Sequence, residues 1–129
     1  MDNKVVVHLR DGRLIKGATT NFSPTREMFH VTRLDGETVE VFLDQVKAVF
    51  FVKRLEGDRS HRERKSFAGA LGVGRKARCE FLDGEVLTGF VVSYVPARGG
   101  LFLTPCDPNS NNERVFVVKS ATRSVSFPR

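Results

Sequence analysis

The chain has 129 residues, of which 40% are hydrophobic and 28% are charged, a composition typical of a globular domain rather than a disordered chain. No apolar run approaches the ~18 residues of a membrane span, and none follows the first four residues, so neither a membrane helix nor a signal peptide is predicted. The net charge is +6, and the two cysteines, Cys79 and Cys106, lie far apart. This spacing argues against a disulfide scaffold and a zinc ribbon, and it favours a reducing, cytoplasmic location.

Alternating apolar and polar residues predict five strands in the region 1–54. The Asp11-Gly12 pair lies between two such runs, and Asp-Gly in this position is typical of a β-hairpin because glycine adopts a positive φ without steric cost. Asp35-Gly36 is a second turn signal of the same kind. Gly17, in the middle of a predicted strand, indicates the sharp bend that small barrels need. The predicted strands are 5–9, 14–22, 29–31, 39–43 and 46–52.

The middle of the chain differs from both ends. Residues 53–78 carry nine basic and three acidic side chains, whereas residues 1–52 and 79–129 are each neutral overall. Ser60 and Glu63 have the spacing of a capping box, so the sequence predicts either a short helix through about Leu71 or an irregular coil. The positive charge suits phosphate, an anionic surface or an acidic partner, or it keeps a solvated linker soluble.

The sequence then repeats itself, with a small drift in spacing that two single-residue insertions in loops would cause. The repeat predicts five further strands at 76–82, 85–95, 100–105, 113–118 and 123–127. Five short antiparallel strands in about 50 residues is the count of an SH3-like or Sm-like small barrel. The corresponding residues are Asp11-Gly12 and Asp83-Gly84, Gly17 and Gly89, Phe29 and Phe102, and Val41-Phe42 and Val115-Phe116.

The predicted fold is all-β, with two tandem five-stranded Sm-like or SH3-like barrels at residues 1–54 and 75–129, joined by a basic linker at 55–74. The run 46–52 is apolar on both faces, so one of Phe50 and Phe51 must point away from its own barrel. That outer face is expected to pack on the second barrel, on the linker near Phe67 and Leu71, or on a second copy of the chain. The sequence thus predicts either a monomer with pseudo-dimeric halves or a homodimer, with Phe50 and Phe51 at the interface.

Several motifs are similar to those of known families. The first unit resembles the Sm-like family in the strand that ends at Asp11-Gly12 and in the following Leu14-x-x-Gly17. Nearly the whole chain resembles a bacterial family of tandem small-barrel units that often occurs beside PilZ domains, which bind cyclic di-GMP; residues 47–52 and 111–118 carry this resemblance. It implies a non-enzymatic binding or adaptor module of bacterial cytoplasmic regulation, with a protein partner and no cofactor.

Nucleic-acid binding, and RNA binding in particular, is the alternative function. Basic residues of the middle stretch would contact phosphates, and barrel loops would contact bases. Against it, the stretch has one aromatic residue, Phe67, whereas single-strand binders interleave several for base stacking. Of the residues that Sm-type RNA sites use, the resemblance carries over Lys119 alone. The candidate nucleic-acid or anion-binding residues are Arg59, Arg62, Arg64, Lys65, Arg75, Lys76 and Lys119.

The sequence predicts no enzyme and no metal site. His8, His30 and His61 lie in different predicted elements without the spacing of metal ligands. Cys106 has no neighbouring histidine that would activate it as a nucleophile. Cys79 takes a core position in the repeat, and a buried, unreactive thiol is expected there.

The Asn-rich segment 109–112 has two interpretations. Asparagine is favoured in turns because its side chain bonds the backbone and it tolerates the left-handed conformation, which predicts a hairpin loop. The alternative is a recognition loop, in which Arg114 would bind a phosphate or carboxylate in a fork. Its candidate residues are Asn111, Asn112 and Arg114.

Overall fold

The structure, a computed structural model, describes residues 3–57, 74–92, 99–107 and 109–128. These residues form ten antiparallel strands and two single 3-10 turns, at Leu43–Gln45 and Lys119–Ala121. The all-β prediction is confirmed, while the linker helix expected near residue 60 lies outside the described residues. The strands are β1 (Asn3–Leu9), β2 (Leu14–Thr19), β3 (Met28–Arg33), β4 (Thr38–Phe42), β5 (Val46–Val52), β6 (Arg75–Phe81), β7 (Val86–Val91), β8 (Gly100–Pro105), β9 (Asn112–Val118) and β10 (Thr122–Ser126).

All ten strands belong to one open sheet with the order β10-β6-β7-β8-β9-β5-β1-β2-β3-β4. The first five strands are ordered β5-β1-β2-β3-β4, and the last five repeat this arrangement as β10-β6-β7-β8-β9. Pairing of β5 with β9 joins the two halves. The sequence pattern predicted two separate barrels. Among the described strands, however, β4 does not pair with β5, and β9 does not pair with β10. In each half these are the two strands on either side of the 3-10 turn.

The repeat extends to the register of the strands. Val7 of β1 faces Val49 of β5, and their counterparts Cys79 of β6 and Val125 of β10 face each other in the same way. The register shift near the 3-10 turn also occurs in both pairs. Val125 is therefore the counterpart of Val49.

The pairs Met28–Phe42 and Gly100–Val118 correspond in the same way, so Val117 and Val118 are the counterparts of Val41 and Phe42, and the match to Val115 and Phe116 expected from the sequence is wrong by two residues. Leu101, not Phe102, is the counterpart of Phe29.

The hairpins form as the Asp-Gly pairs predict. Gly12 and Gly84 both have a φ of 93°, the left-handed region that side chains disfavour. In each hairpin the preceding aspartate accepts a hydrogen bond from the backbone N–H two residues later, at 3.0 Å in both cases. This local chemistry explains why the two turns have the same structure.

The central strands β5 and β9 present one face to each half of the core. Val49 and Phe51 share a face with Phe116 of β9, because residues directly opposite in an antiparallel pair point the same way. Phe50 lies on the other face and is opposite Val115. All five side chains are buried. A strand that is apolar on both faces thus lies between two strands, with neither face in water.

An aromatic cluster connects the two halves on one of these faces. The Phe22 ring, in the β2–β3 connection, lies 5.0 Å from Phe29, 5.5 Å from Phe51 and 5.3 Å from Phe116. These contacts are edge-on, the arrangement that the ring quadrupoles favour. Phe102 of β8 completes the cluster, 5.1 Å from Phe116. The sheet therefore curls so that the first half covers the outer face of β8 and β9.

Candidate protein-binding edge and cleft

The outer edge of β4 carries an aromatic side chain that is unlike its counterpart in the repeat. Phe42 has 46% of its surface exposed, whereas its counterpart Val118, which likewise directly precedes a 3-10 turn, has 6%. Val118 ends β9, a strand that has β8 on one side and β5 on the other. Within the described residues β4 pairs only with β3, so its other edge has free backbone groups beside an exposed ring. Such an edge is a template for pairing with another chain.

A cleft of about 470 Å³ adjoins this edge and lies between the two halves. One wall comprises the connection 24–27 and residues 42–44 of the first half. Gly99, Val118 and Ser120 form the opposite wall, and Phe42 and Phe116 both line the cleft. Its surface combines aromatic rings with the charged residues of the first wall. We name it the edge cleft, and its chemistry suits an apolar side chain on an extended peptide.

Backbone hydrogen bonds fix both walls of the edge cleft. The N–H of Leu43 donates to the carbonyl of Glu27 at 2.9 Å, and the N–H of Lys119 donates to the carbonyl of Gly99 at 2.9 Å. The two bonds occupy equivalent places in the repeat, at the start of each 3-10 turn. The cleft is therefore formed by backbone that is already ordered without a ligand, which lowers the entropy lost on binding.

The junction of the halves contains a charged cluster that the sequence analysis missed. The Lys47 ammonium of β5 lies 2.7 Å from the Asp83 carboxylate of the β6–β7 hairpin, and it also binds Glu85. The same ammonium lies 4.6 Å above the Phe81 ring. Burial lowers the pKa of Lys47, but the hydrogen bonds to the two carboxylates outweigh burial and raise it above its ordinary value. The hydrogen bond from Lys47 and that from the Glu85 backbone lower the pKa of Asp83. The cluster fixes the second half's hairpin on the first half.

His8 of β1 lies beside this cluster, with its ring 4.3 Å from that of Phe50. Burial lowers the pKa of His8 below its ordinary value of 6.5, an effect that Glu85 opposes and Lys47 reinforces. The His8 ring therefore binds a proton at a higher pH in the unfolded chain than in the folded chain. We expect the free energy of unfolding to fall as the pH drops below 6.5. A His8→Gln variant should lose this part of the pH dependence of the free energy of unfolding. Urea denaturation between pH 7.5 and 5 measures it.

A matched control for this measurement is His30→Gln on β3. The His30 side chain is half-buried and bonds Asn21 at 2.9 Å, away from the charged cluster. This variant measures how far the replacement of a strand histidine by glutamine alters stability away from the charged cluster. A pH dependence that is the same in His8→Gln as in the parent would contradict the assignment to His8.

The structure gives the predicted recognition loop a structural role. The Asn111 side chain accepts a hydrogen bond from the N–H of Arg54 at 3.0 Å and donates one to the carbonyl of Arg54 at 2.9 Å. The Asn112 N–H donates to the hydroxyl of the buried Ser110 at 3.0 Å. Arg114 is exposed, and its guanidinium lies 4.3 Å above the Phe51 ring. The Asn111 amide thus joins the end of the first half to the second half.

The candidate basic residues are not brought together where the structure describes them. Arg75 begins β6, and its guanidinium lies 4.2 Å above the Phe127 ring. Lys76 follows it on the same strand. Lys119 precedes β10, whose first residue pairs with Phe81 at the opposite end of β6. Arg59, Arg62, Arg64 and Lys65 lie outside the described residues, so nucleic-acid binding by the middle stretch stays a prediction.

The predicted interface residues Phe50 and Phe51 both lie at the junction of the halves. Phe50 faces Val115 and Phe51 faces Arg114 across the β5–β9 pair, and both rings are buried. The sequence left three possible partners for this strand. In the structure β9 occupies its second edge, and the expected contact with residues near Phe67 lies outside the described ranges.

The sequence analysis missed Phe42, although the repeat contained a signal for it. The fifth strand of the first half is apolar on both faces, whereas that of the second half has serines at 124 and 126. This difference indicates that β5, the fifth strand of the first half, has a neighbouring strand on both edges. It therefore also indicates that β9 is covered on its second edge and that the equivalent edge of β4, where Phe42 lies, is not.

The described ranges contain no group of three or more histidine, cysteine, aspartate or glutamate side chains that could hold a metal ion. Both thiols are buried, and burial raises the pKa of Cys79 to about 11, which keeps it in the unreactive protonated form. None of the helices in this part of the chain has the length and hydropathy to cross a membrane.

Comparison with known proteins adds a family assignment. Neither the curated proteins nor the solved structures give a match. The sequence pattern of Family of unknown function (DUF6982) matches residues 1–127, which includes both halves of the repeat and the segment between them. The chain therefore belongs to this family of unknown function, DUF6982.

Proposed function

We propose that the chain is a non-enzymatic binding or adaptor module of bacterial cytoplasmic regulation, and that a protein partner binds at the β4 edge and the edge cleft. The observation that carries the proposal is the exposure of Phe42 at a strand edge, where its counterpart Val118 is buried. An extended segment of the partner adds a strand to β4, and main-chain hydrogen bonds supply affinity. An apolar side chain of that segment fills the cleft between Phe42 and Phe116 and supplies specificity.

We also propose that each half is a small-barrel unit of the Sm-like or SH3-like type. The shared strand order, the equivalent Asp-Gly hairpins and the equivalent 3-10 turns support this assignment. In such a unit the loops and the free edges are available for recognition, while the core holds them in place. The module therefore needs no catalytic group to act.

The test is capture of partners by the tagged full chain from native bacterial lysate, with Phe42→Ser as the variant. Burial of this ring in a complex is worth about 1.5–3 kcal/mol, so we expect capture to fall by about 10- to 100-fold. Leu34→Ser is the matched control, because Leu34 is a more exposed apolar residue that follows β3 and does not line the edge cleft. Capture that is the same with Phe42→Ser as with the parent would contradict the proposed site.

A nuclease arm separates the alternative function from this one. Proteins held directly at the β4 edge stay bound after nuclease treatment. Proteins that are lost after nuclease were held through RNA or DNA, the result expected if the basic middle stretch binds phosphates. In that case the capture should also be insensitive to Phe42→Ser.

A further inference from the structure

We propose that a second cleft, in the first half of the chain, binds the phosphoryl group of a small phosphate monoester. This cleft of about 510 Å³ lies on β1, β2 and β3 and shares no lining residue with the edge cleft. It occupies the face of these strands that points away from the buried Val5 and Val31. Its volume is in the range of small-molecule sites. We name it the β1–β3 cleft.

A row of side chains across three neighbouring strands forms the floor of the β1–β3 cleft. Lys4 of β1 is paired with Ala18 of β2, and Ala18 is paired with Thr32 of β3. Residues directly opposite in antiparallel pairs point to the same face, so the three side chains lie side by side. Because the middle side chain is only a methyl group, it leaves a depression between the lysine and the threonine.

The repeat provides an internal comparison for this row. In the second half the corresponding residues are Lys76, Phe90 and Thr104, in the same register. Phe90 is 5% exposed, so a buried aromatic ring occupies the position at which Ala18 leaves the depression. The fold therefore accepts a large side chain at this position, and the open cleft is a property of the first half alone.

Basic side chains surround the depression. Lys4 and Arg33 are exposed and line the cleft, and the Lys4 ammonium lies 3.5 Å from the carbonyl of Lys53. None of the described residues that line the cleft is acidic; Glu40, opposite His30 on β4, lies outside the lining. Two permanent positive charges match a phosphate monoester, which carries about −1.5 to −2 charges at pH 7. The guanidinium can also bind two phosphate oxygens at once.

The His30 ring adds a hydrogen-bond donor. The side-chain oxygen of Asn21 accepts a hydrogen bond from the His30 backbone N–H at 2.9 Å, so the amide nitrogen faces the ring and lies 2.9 Å from Nδ1. Nδ1 therefore accepts this hydrogen bond, and the proton of the neutral ring is on Nε2, where it can be donated to a phosphate oxygen. Thr20 and Thr32 add hydroxyl groups to the lining. The counterpart of His30 is Phe102, which packs in the aromatic cluster instead.

Part of the lining is apolar. Leu55, which follows β5, lines the cleft together with Ala18, and both side chains are half-buried. A ligand whose phosphoryl group contacts the basic side chains places its ester group over these two residues, and burial of that group adds affinity. The cleft therefore favours a phosphate monoester with an apolar or aromatic group over inorganic phosphate.

Titration with phenyl phosphate, followed by two-dimensional NMR of the isotope-labelled full chain, tests the inference. We expect shifts at Ala18, His30 and Thr32, and an affinity at least about 10-fold higher than for inorganic phosphate. Lys4→Gln should weaken the binding of phenyl phosphate by about 10-fold, the usual effect of losing one hydrogen bond to a charged group. The matched control is Lys16→Gln on the same face of β2. Lys16 is exposed but does not line the cleft, so this variant should bind as the parent does.

A variant that fills the depression gives a second test. Ala18→Phe introduces the side chain that the second half has at this position, so the chain should keep the far-UV circular dichroism of the parent and lose the binding of phenyl phosphate. Unchanged binding in Ala18→Phe, or equal losses in Lys4→Gln and Lys16→Gln, would overturn the inference. Equal affinity for inorganic phosphate, or the absence of shifts up to about 10 mM phenyl phosphate, would overturn it as well.

Discussion

Replacement of Phe51 by alanine should lower the free energy of unfolding by about 3–5 kcal/mol, the range for removing a buried phenylalanine. The Phe51 ring is buried, lies 5.5 Å from Phe22 and 6.2 Å from Phe102, and supports the Arg114 guanidinium. The variant thus opens a cavity in the aromatic cluster that both halves share. Urea denaturation followed by far-UV circular dichroism measures the loss.

The counterpart Phe127 provides the matched control for Phe51. Phe127 follows the edge strand β10 and is half-buried, so Phe127→Ala should cost at most about 2 kcal/mol. Because β5 and β9 belong to both cores, the parent protein and both variants should unfold in one cooperative transition. Two separated transitions, or equal losses in the two variants, would show that the halves are independent barrels.

Local sequence patterns predicted the elements of this fold well because short-range chemistry determines them. Asp-Gly turns depend on glycine's positive φ and on the aspartate side chain, and Gly12 and Gly84 both have a φ of 93°. The repeat then assigned the same strands to the second half. What these patterns do not contain is the choice of partner for a strand edge, since that choice depends on residues far away in the sequence.

The strand β5 illustrates this limit. Its apolar residues on both faces required a second neighbour, and the sequence offered the second unit, the linker or another copy as alternatives. In the structure the neighbour is β9, whose Val115 and Phe116 present apolar groups to both faces as well. These two strands pair along their edges, and the ten described strands form one sheet.

The candidate site depends in the same way on residues that are far apart in the sequence. The sequence predicts either a turn or a recognition loop at Asn111, and neither interpretation reveals that its amide bonds the backbone of the distant Arg54. Phe42 is an ordinary apolar strand residue in sequence terms. It becomes a candidate site only because its neighbour on one side is absent among the described strands, while Phe116 has one.

Alanine at Gly17 or Gly89 should also be strongly destabilising, and by a similar amount in each half. A Cβ atom at Gly17 would lie 2.2 Å from the backbone oxygen of Thr32, and one at Gly89 would lie 2.2 Å from that of Thr104. Both contacts are with the neighbouring strand's backbone, which cannot rotate away as a side chain can. We expect each variant to lose about 3 kcal/mol or more, at the upper end of overpacking effects.

The control Gly12→Ala separates this close approach from glycine's conformational freedom. Gly12 has a positive φ and no atom within 4 Å of an added Cβ, so alanine there should cost about 1–2 kcal/mol through backbone strain alone. Urea denaturation of the three variants compares the free-energy cost of the steric overlap at Gly17 and Gly89 with the cost of backbone strain at Gly12. Gly17 and Gly89 each lie against the backbone of the adjacent strand, and this close approach leaves no room for a Cβ atom. If Gly17→Ala or Gly89→Ala cost less than Gly12→Ala, the strands would not approach as closely as the structure places them.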